Sequence, residues 1–269
     1  MNIRRKRYLK AEESLSEYRR IARRRIITAA IFTILAVILA YHLSILSVRS
    51  DPSKYTGGVN IPKAIIIDGI GLTKPNLSFL RVVYETLSQA GFDVEIYIGR
   101  QVTMKLLDNM KGYKLIVLRV HSAVDAVYGD LYLFSAEAYN PEQYIYEQLY
   151  GEYREAYTFD MSEGPYFAIR ADLLGDYDGL KDTVIILMGC NGTSSDNSIR
   201  RFFDRGVKAI IAWDGYVSLE YTDKVTSTLL RLVYTEKLSY SEAVQKIMND
   251  MGPDPIWRSK LVYLTNPEI

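Results

Sequence analysis

"KLIVLRVHSAVD", residues 114–125, is the stretch on which the reading of the fold turns. An unbroken run of aliphatic and β-branched residues is the pattern of a strand covered on both faces, as in a parallel sheet. The run stops at His121, one of only two histidines in the chain, with Ser122 and Ala123 after it. A polar residue in that place marks where a buried strand emerges.

Similar runs lie on either side. "KAIIID" (63–68) and "VEIYI" (94–98) precede it, and "DTVIILM" (182–188) and "VKAIIAW" (207–213) follow. Helical patterns separate them. Leu77, Leu80, Tyr84, Leu87 and Ala90 recur at helical spacing, and Gly91 suits the stop. "RQVTMKLLDNM" (100–110) and "NSIRRFFDRG" (197–206) read as further helices. Two more close the domain, "TDKVTSTLLRLVYTEK" (222–237) and "SYSEAVQKIMNDM" (239–251), the second opening with Ser239 and Glu242 at capping-box spacing. Strand alternating with helix predicts an α/β fold over residues 63–269: a mostly parallel sheet with helices on both faces, an α/β/α sandwich. Residues 126–181 break the rhythm. They are rich in tyrosine and read as an insertion at the sheet's C-terminal edge, with a hairpin about Gly129 and Asp130.

Charge divides the chain. Of its 33 basic and 32 acidic residues, ten and three fall in residues 1–25; the remaining 23 and 29 give residues 49–269 a net charge of −6. The body is therefore not built like a nucleic-acid binder, and no nucleic-acid partner is expected. Residues 26–48 carry no charge at all. As a helix they reach roughly 34 Å, enough to cross a hydrocarbon core of about 30 Å. The reading is a retained single-pass anchor, with the second histidine, His42, inside it. The arginine-rich tail (1–25) then stays in the cytoplasm, and the domain beyond the linker (49–62) faces outward from the cell membrane. A single cysteine, Cys190, rules out an internal disulfide framework.

In an open parallel sheet, ligands gather beyond the carboxyl ends of the strands. His121 and Cys190 both occupy such ends. An imidazole beside a thiol lowers its pKa or shuttles its proton, which makes sulfur a nucleophile toward carbonyls. Gly189 and Gly192 flank the cysteine and would let a substrate backbone come close, while the amides of Cys190 and Ser122 are placed to face an oxyanion. Taken singly, a lone cysteine is more often a small buried hydrophobe, and a lone histidine a hydrogen-bonded bystander.

The chain resembles the caspase-like cysteine peptidases, the broad group that includes gingipains, separases, legumains and CHAT-domain proteins. The group's pattern is an apolar block followed by His-Gly, then another followed by a small residue and Cys. Here the blocks are "LIVLRV" before His121-Ser122 and "VIILM" before Gly189-Cys190. "KAIIIDGIGL" and "DRGVKAIIAWDGYVS" are similar to flanking segments, so the likeness spans roughly residues 63–250 outside the tyrosine-rich part. It implies a cysteine endopeptidase acting on a peptide or protein substrate through a thioester acyl-enzyme. His121 would be the general base and acid, and Cys190 the nucleophile. Ser122 departs from the group's glycine. By the same likeness Asp214 and Trp213 would help form the S1 pocket, with Asp68 as a second candidate acid, and an acid there would favour Lys or Arg. The alternative is an inactive caspase-like binding or signalling module tethered to the membrane.

Other chemistries fit less well. Position 188 is Met, which breaks the nucleophile elbow of α/β-hydrolases. "DGIGL" (68–72) lacks the third glycine of a dinucleotide fingerprint and the lysine of a P-loop, so no cofactor is expected. One histidine and one cysteine in the domain give little support for a metal, although scattered carboxylates leave calcium open. Few Gln and many Ile, Tyr, Arg and Glu fit a heat-adapted, archaeal or thermophilic source.

Overall fold

The computed structural model of the protein describes residues 61–266, apart from residues 160 and 162. The basic tail, the apolar stretch 26–48 and residues 49–60 of the linker lie outside the described residues. Among the described residues no helix is long and apolar enough to cross a membrane.

The chain begins with β1 (Lys63–Asp68), α1 (Leu77–Gln89), β2 (Asp93–Ile98), the one-and-a-half-turn α2 (Met104–Asp108) and β3 (Tyr113–Arg119). There follow β4 (Ser122–Val124), β5 (Leu131–Ala138), the short α3 (Ile145–Leu149), β6 (Tyr153–Ala156) and β7 (Tyr166–Arg170). The last part is β8 (Val184–Leu187), α4 (Asp196–Asp204), β9 (Ala209–Trp213), α5 (Leu219–Tyr234), α6 (Tyr240–Asp250) and β10 (Leu261–Thr265). The main sheet has the order β10-β9-β8-β3-β1-β2. All its other pairs are parallel, and only β10 runs antiparallel, against β9.

Alternation along these strands builds two apolar layers. Ile65, Ile67, Ile116, Leu118, Ile185 and Leu187 face one side, where α2 and α4 supply Met104, Leu107, Ile199 and Phe202. Ala64, Ile66, Leu115, Val117, Ile186 and Ile211 face the other, against α1, α5 and α6. Helices thus cover both faces, as the alternation of elements predicts. In α1 the buried Phe79, Leu80, Val83 and Leu87 form one stripe, each such side chain contributing about 1.5–3 kcal/mol by leaving water. The Asn76 side chain caps its start by accepting from the Phe79 amide, and Gly91, at φ +90°, follows its end.

Two features differ from the sequence reading. The tyrosine-rich segment is more than an insertion with one hairpin at the sheet's edge. It is a second, antiparallel sheet of order β4-β5-β7-β6, which begins at Ser122 and fills the crossover from β3 to β8. Its Leu131, Leu133, Tyr153, Phe167 and Ile169 pack into the layer under α2 and α4. The hairpin is present, but Val124 pairs with Leu131 across a loop of residues 125–130. Secondly, the fold does not end in helices. "LVYLT" adds β10 at the sheet's edge, where one partner is enough to hold a strand.

Candidate active site

The two central strands carry the candidate pair at matching heights. Leu118 of β3 lies opposite Leu187 of β8, and His121 and Cys190 each follow three residues later. The Met188 amide donates to the Leu118 carbonyl at 2.9 Å, which continues the ladder past the last paired residues. Neighbouring strands run about 4.8 Å apart, so the two residues leave the sheet side by side.

Gly189 shows how close the two segments come. A methyl group there would lie 2.2 Å from Ser122 Oγ and 2.6 Å from the Val120 carbonyl oxygen. Those atoms flank His121 on both sides. Any side chain at 189 would push the cysteine turn off the histidine segment. Ser122 completes the contact, its hydroxyl donating to the Cys190 carbonyl at 2.6 Å. Gly192 has a similar origin, since a methyl group on it would meet Ala212 Cβ at 2.6 Å and Leu187 Cδ2 at 2.9 Å. Both glycines are buried against protein. They serve the folding of the turn rather than the approach of a substrate.

Cys190 is half-buried. Burial pushes its thiol pKa up; a hydrogen bond from the Val217 amide lowers it in part, and the Asp254 carboxylate raises it further. Asn191 adopts a left-handed φ of 56°, and its amide donates to the Gly215 carbonyl at 2.8 Å, tying the cysteine turn to the loop after β9. The His121 ring is half-buried and lies against Phe134, with centroids 5.9 Å apart. Its carbonyl accepts from the Phe134 amide at 2.9 Å. Ser122 and Leu133 therefore form a pair without mutual backbone bonds, and the Ser122 amide is directed away from β5.

The three pocket candidates fall in different places. Asp68 is fully buried on the helical side, where its Oδ1 accepts from Arg119 at 2.7 Å. Arg119 also pairs with Asp223 of α5 at 2.8 Å, so Asp68 belongs to an interior ion network and not to a substrate pocket. Trp213 is likewise fully buried, with its Nε1 donating to Thr222 at 2.9 Å, and it lines no cleft. Asp214 is exposed at the rim, and its Oδ1 accepts from the Lys260 amide at 2.7 Å.

The loop after β9, which is tied to the cysteine turn, carries an aromatic side chain. Tyr216, next to Val217, meets Trp257 at 5.3 Å and Phe159 at 5.5 Å between ring centroids. No periodicity marks these residues, because they come from three loops that only the folded chain brings together. A buried carboxylate joins two of those loops. Asp254 accepts from the amides of Ser218 at 2.8 Å, Ile256 at 2.9 Å and Trp257 at 2.7 Å. Burial raises the Asp254 pKa, but these amides outweigh it and hold the carboxyl below the usual range. Among the described residues no cluster of three His, Cys, Asp or Glu side chains could hold a metal ion.

Fold and site together define an open α/β sheet that presents a thiol and an imidazole at the carboxyl ends of adjacent strands. A scan against models of known protein families and a comparison with curated proteins find no match to this chain.

Proposed function

We propose that the protein is a caspase-like cysteine endopeptidase, anchored in the membrane by residues 26–48. The observation that carries the reading is the level placement of His121 and Cys190, with Gly189 wedged between Val120 and Ser122. The raised thiol pKa favours a neutral thiol at rest, with its proton moving during attack. The Cys190 thiol gives its proton to the His121 imidazole as sulfur bonds to the scissile carbonyl carbon. The oxyanion so formed faces the amides of Cys190 and Ser122. Its collapse breaks the C–N bond, and the imidazolium protonates the leaving amine. Water, deprotonated by His121, then attacks the thioester carbonyl and releases the acid and the thiol.

The test uses the full-length chain with a fluorogenic peptide library and a peptidyl acyloxymethyl ketone. Turnover and covalent labelling at Cys190 are expected, with turnover lost in Cys190→Ala and reduced about 10²–10⁴-fold in His121→Ala. No cleavage, together with a thiol no more reactive than free cysteine, would reject the enzyme. One observation favours the second reading, an inactive binding module: a thiol whose burial disfavours the thiolate is also what an inert packing cysteine shows.

A further inference from the structure

We propose that Tyr216, Trp257 and Phe159 form a subsite that takes a bulky apolar or aromatic side chain from one of the two residues before the scissile bond. The inference rests on the peptidase reading and names its substrate class. The three rings are open to solvent, Tyr216 at 42%, Trp257 at 47% and Phe159 at 79% exposure, yet they contact one another within 6.2 Å. The cluster is held in place. The Trp257 amide is fixed by Asp254, the same carboxylate takes the Ser218 amide, and the Ser259 hydroxyl donates to the Tyr216 carbonyl. The Tyr216 loop is tied to the cysteine turn, because the Asn191 amide donates to the carbonyl of Gly215, the residue before Tyr216, at 2.8 Å.

Charge selects the occupant. Arg258 and Lys260 are exposed on the Trp257 loop, and like charge there disfavours a Lys or Arg side chain. Ile256, 71% exposed, extends the apolar surface. Of the acids that would favour a basic side chain, Asp68 is sealed in the interior and Asp214 has one oxygen engaged by the Lys260 backbone amide. Exposed aromatic rings on a loop tied to the cysteine turn suit an apolar side chain, whose burial is the favourable step.

The experiment compares peptide aminocoumarin amides, Ac-Ala-Ala-Xaa and Ac-Ala-Xaa-Ala, with Xaa as Phe, Leu, Lys or Ala, on the full-length chain. Phe or Leu in at least one position is expected to raise kcat/KM tenfold or more over Ala and Lys. Trp257→Ala is expected to erase that gain, and Tyr216→Leu to reduce it if Trp257→Ala fails to fold. Occupancy is read separately in Cys190→Ala. The chain has two tryptophans, and Trp213 is buried, so a blue shift on adding the Phe peptide but not the Lys peptide reports on Trp257. A shift without turnover in the unmodified chain would keep the subsite and reject the peptidase. Turnover with a preference for Lys, or with equal losses for every peptide in Trp257→Ala, would overturn the subsite alone. An emission that follows protein concentration instead of peptide would make this face a contact between copies and also overturn it.

Discussion

Ser122 occupies the place where the resemblance calls for glycine, and its side chain has a use there. The hydroxyl bonds the carbonyl of Cys190 and so joins the segment bearing the imidazole to the turn bearing the thiol. Ser122→Ala should lower stability by about 0.5–1.5 kcal/mol, the net worth of one such bond, as read by urea unfolding. It should lower kcat more than it changes KM, since alignment of the pair and not substrate contact is lost. At this scale the sequence shows where His121 and Cys190 sit, because each follows an apolar run. It misled for Asp68 and Trp213, which also end strands. Asp68 shares the face of Ala64 and Ile66, and Trp213 that of Ile211, so both side chains turn inward under the helices. A strand end shows where a residue sits; only the neighbouring strand and helix decide whether its side chain meets water.

The ion network beneath β1 and β3 acts between elements. Arg119 binds Asp68 on β1 and Asp223 on α5, its Nη2 reaches the Lys74 carbonyl at 3.0 Å, and Asn76 at the cap of α1 donates to Asp223 at 2.8 Å. One guanidinium thus fastens two strands and two helices. Arg119→Leu strands two buried carboxylates and should cost about 3–5 kcal/mol, measured by chemical unfolding. Asp68→Asn should cost clearly less. Burial pushes the Asp68 carboxyl up against the opposing pull of Arg119, and its Oδ2 has no hydrogen-bond partner. With its folded pKa raised, the contribution of Asp68 is fully present below the ordinary aspartate range and is lost as pH rises through the folded value. Removing the charge at Asp68 should therefore flatten the loss of stability on the alkaline side of that range. None of this network is readable from spacing, since its members lie 51 and 104 residues apart. Local signals fared better: the Ser239 and Glu242 box that opens α6 is formed as written, with Ser239 accepting from the Glu242 amide and the Glu242 carboxylate accepting in return.

For the whole molecule, the order of apolar blocks was enough to expect the layered sheet, because each buried strand must be near-continuously hydrophobic. The second sheet escaped that reading. Its strands alternate aromatic, charged and small residues, so the tyrosines read as surface cover until β7 supplies Phe167 and Ile169 to the common core. The proposed placement of the domain outside a membrane rests on the charge asymmetry around residues 26–48. Protease added to right-side-out cells should digest a tag placed after the domain and spare one placed before residue 25; the reverse pattern would invert the topology. β10 and the Asp254 turn belong to the final stretch of the described chain, yet they brace β9 and the loop after it. During synthesis the thiol-bearing turn leaves the ribosome well before those braces do. A nascent or clipped polypeptide ending short of Asp254 would carry His121 and Cys190 and still lack the carboxylate that holds the Ser218 and Trp257 amides, so the loop after β9 would have lost that brace.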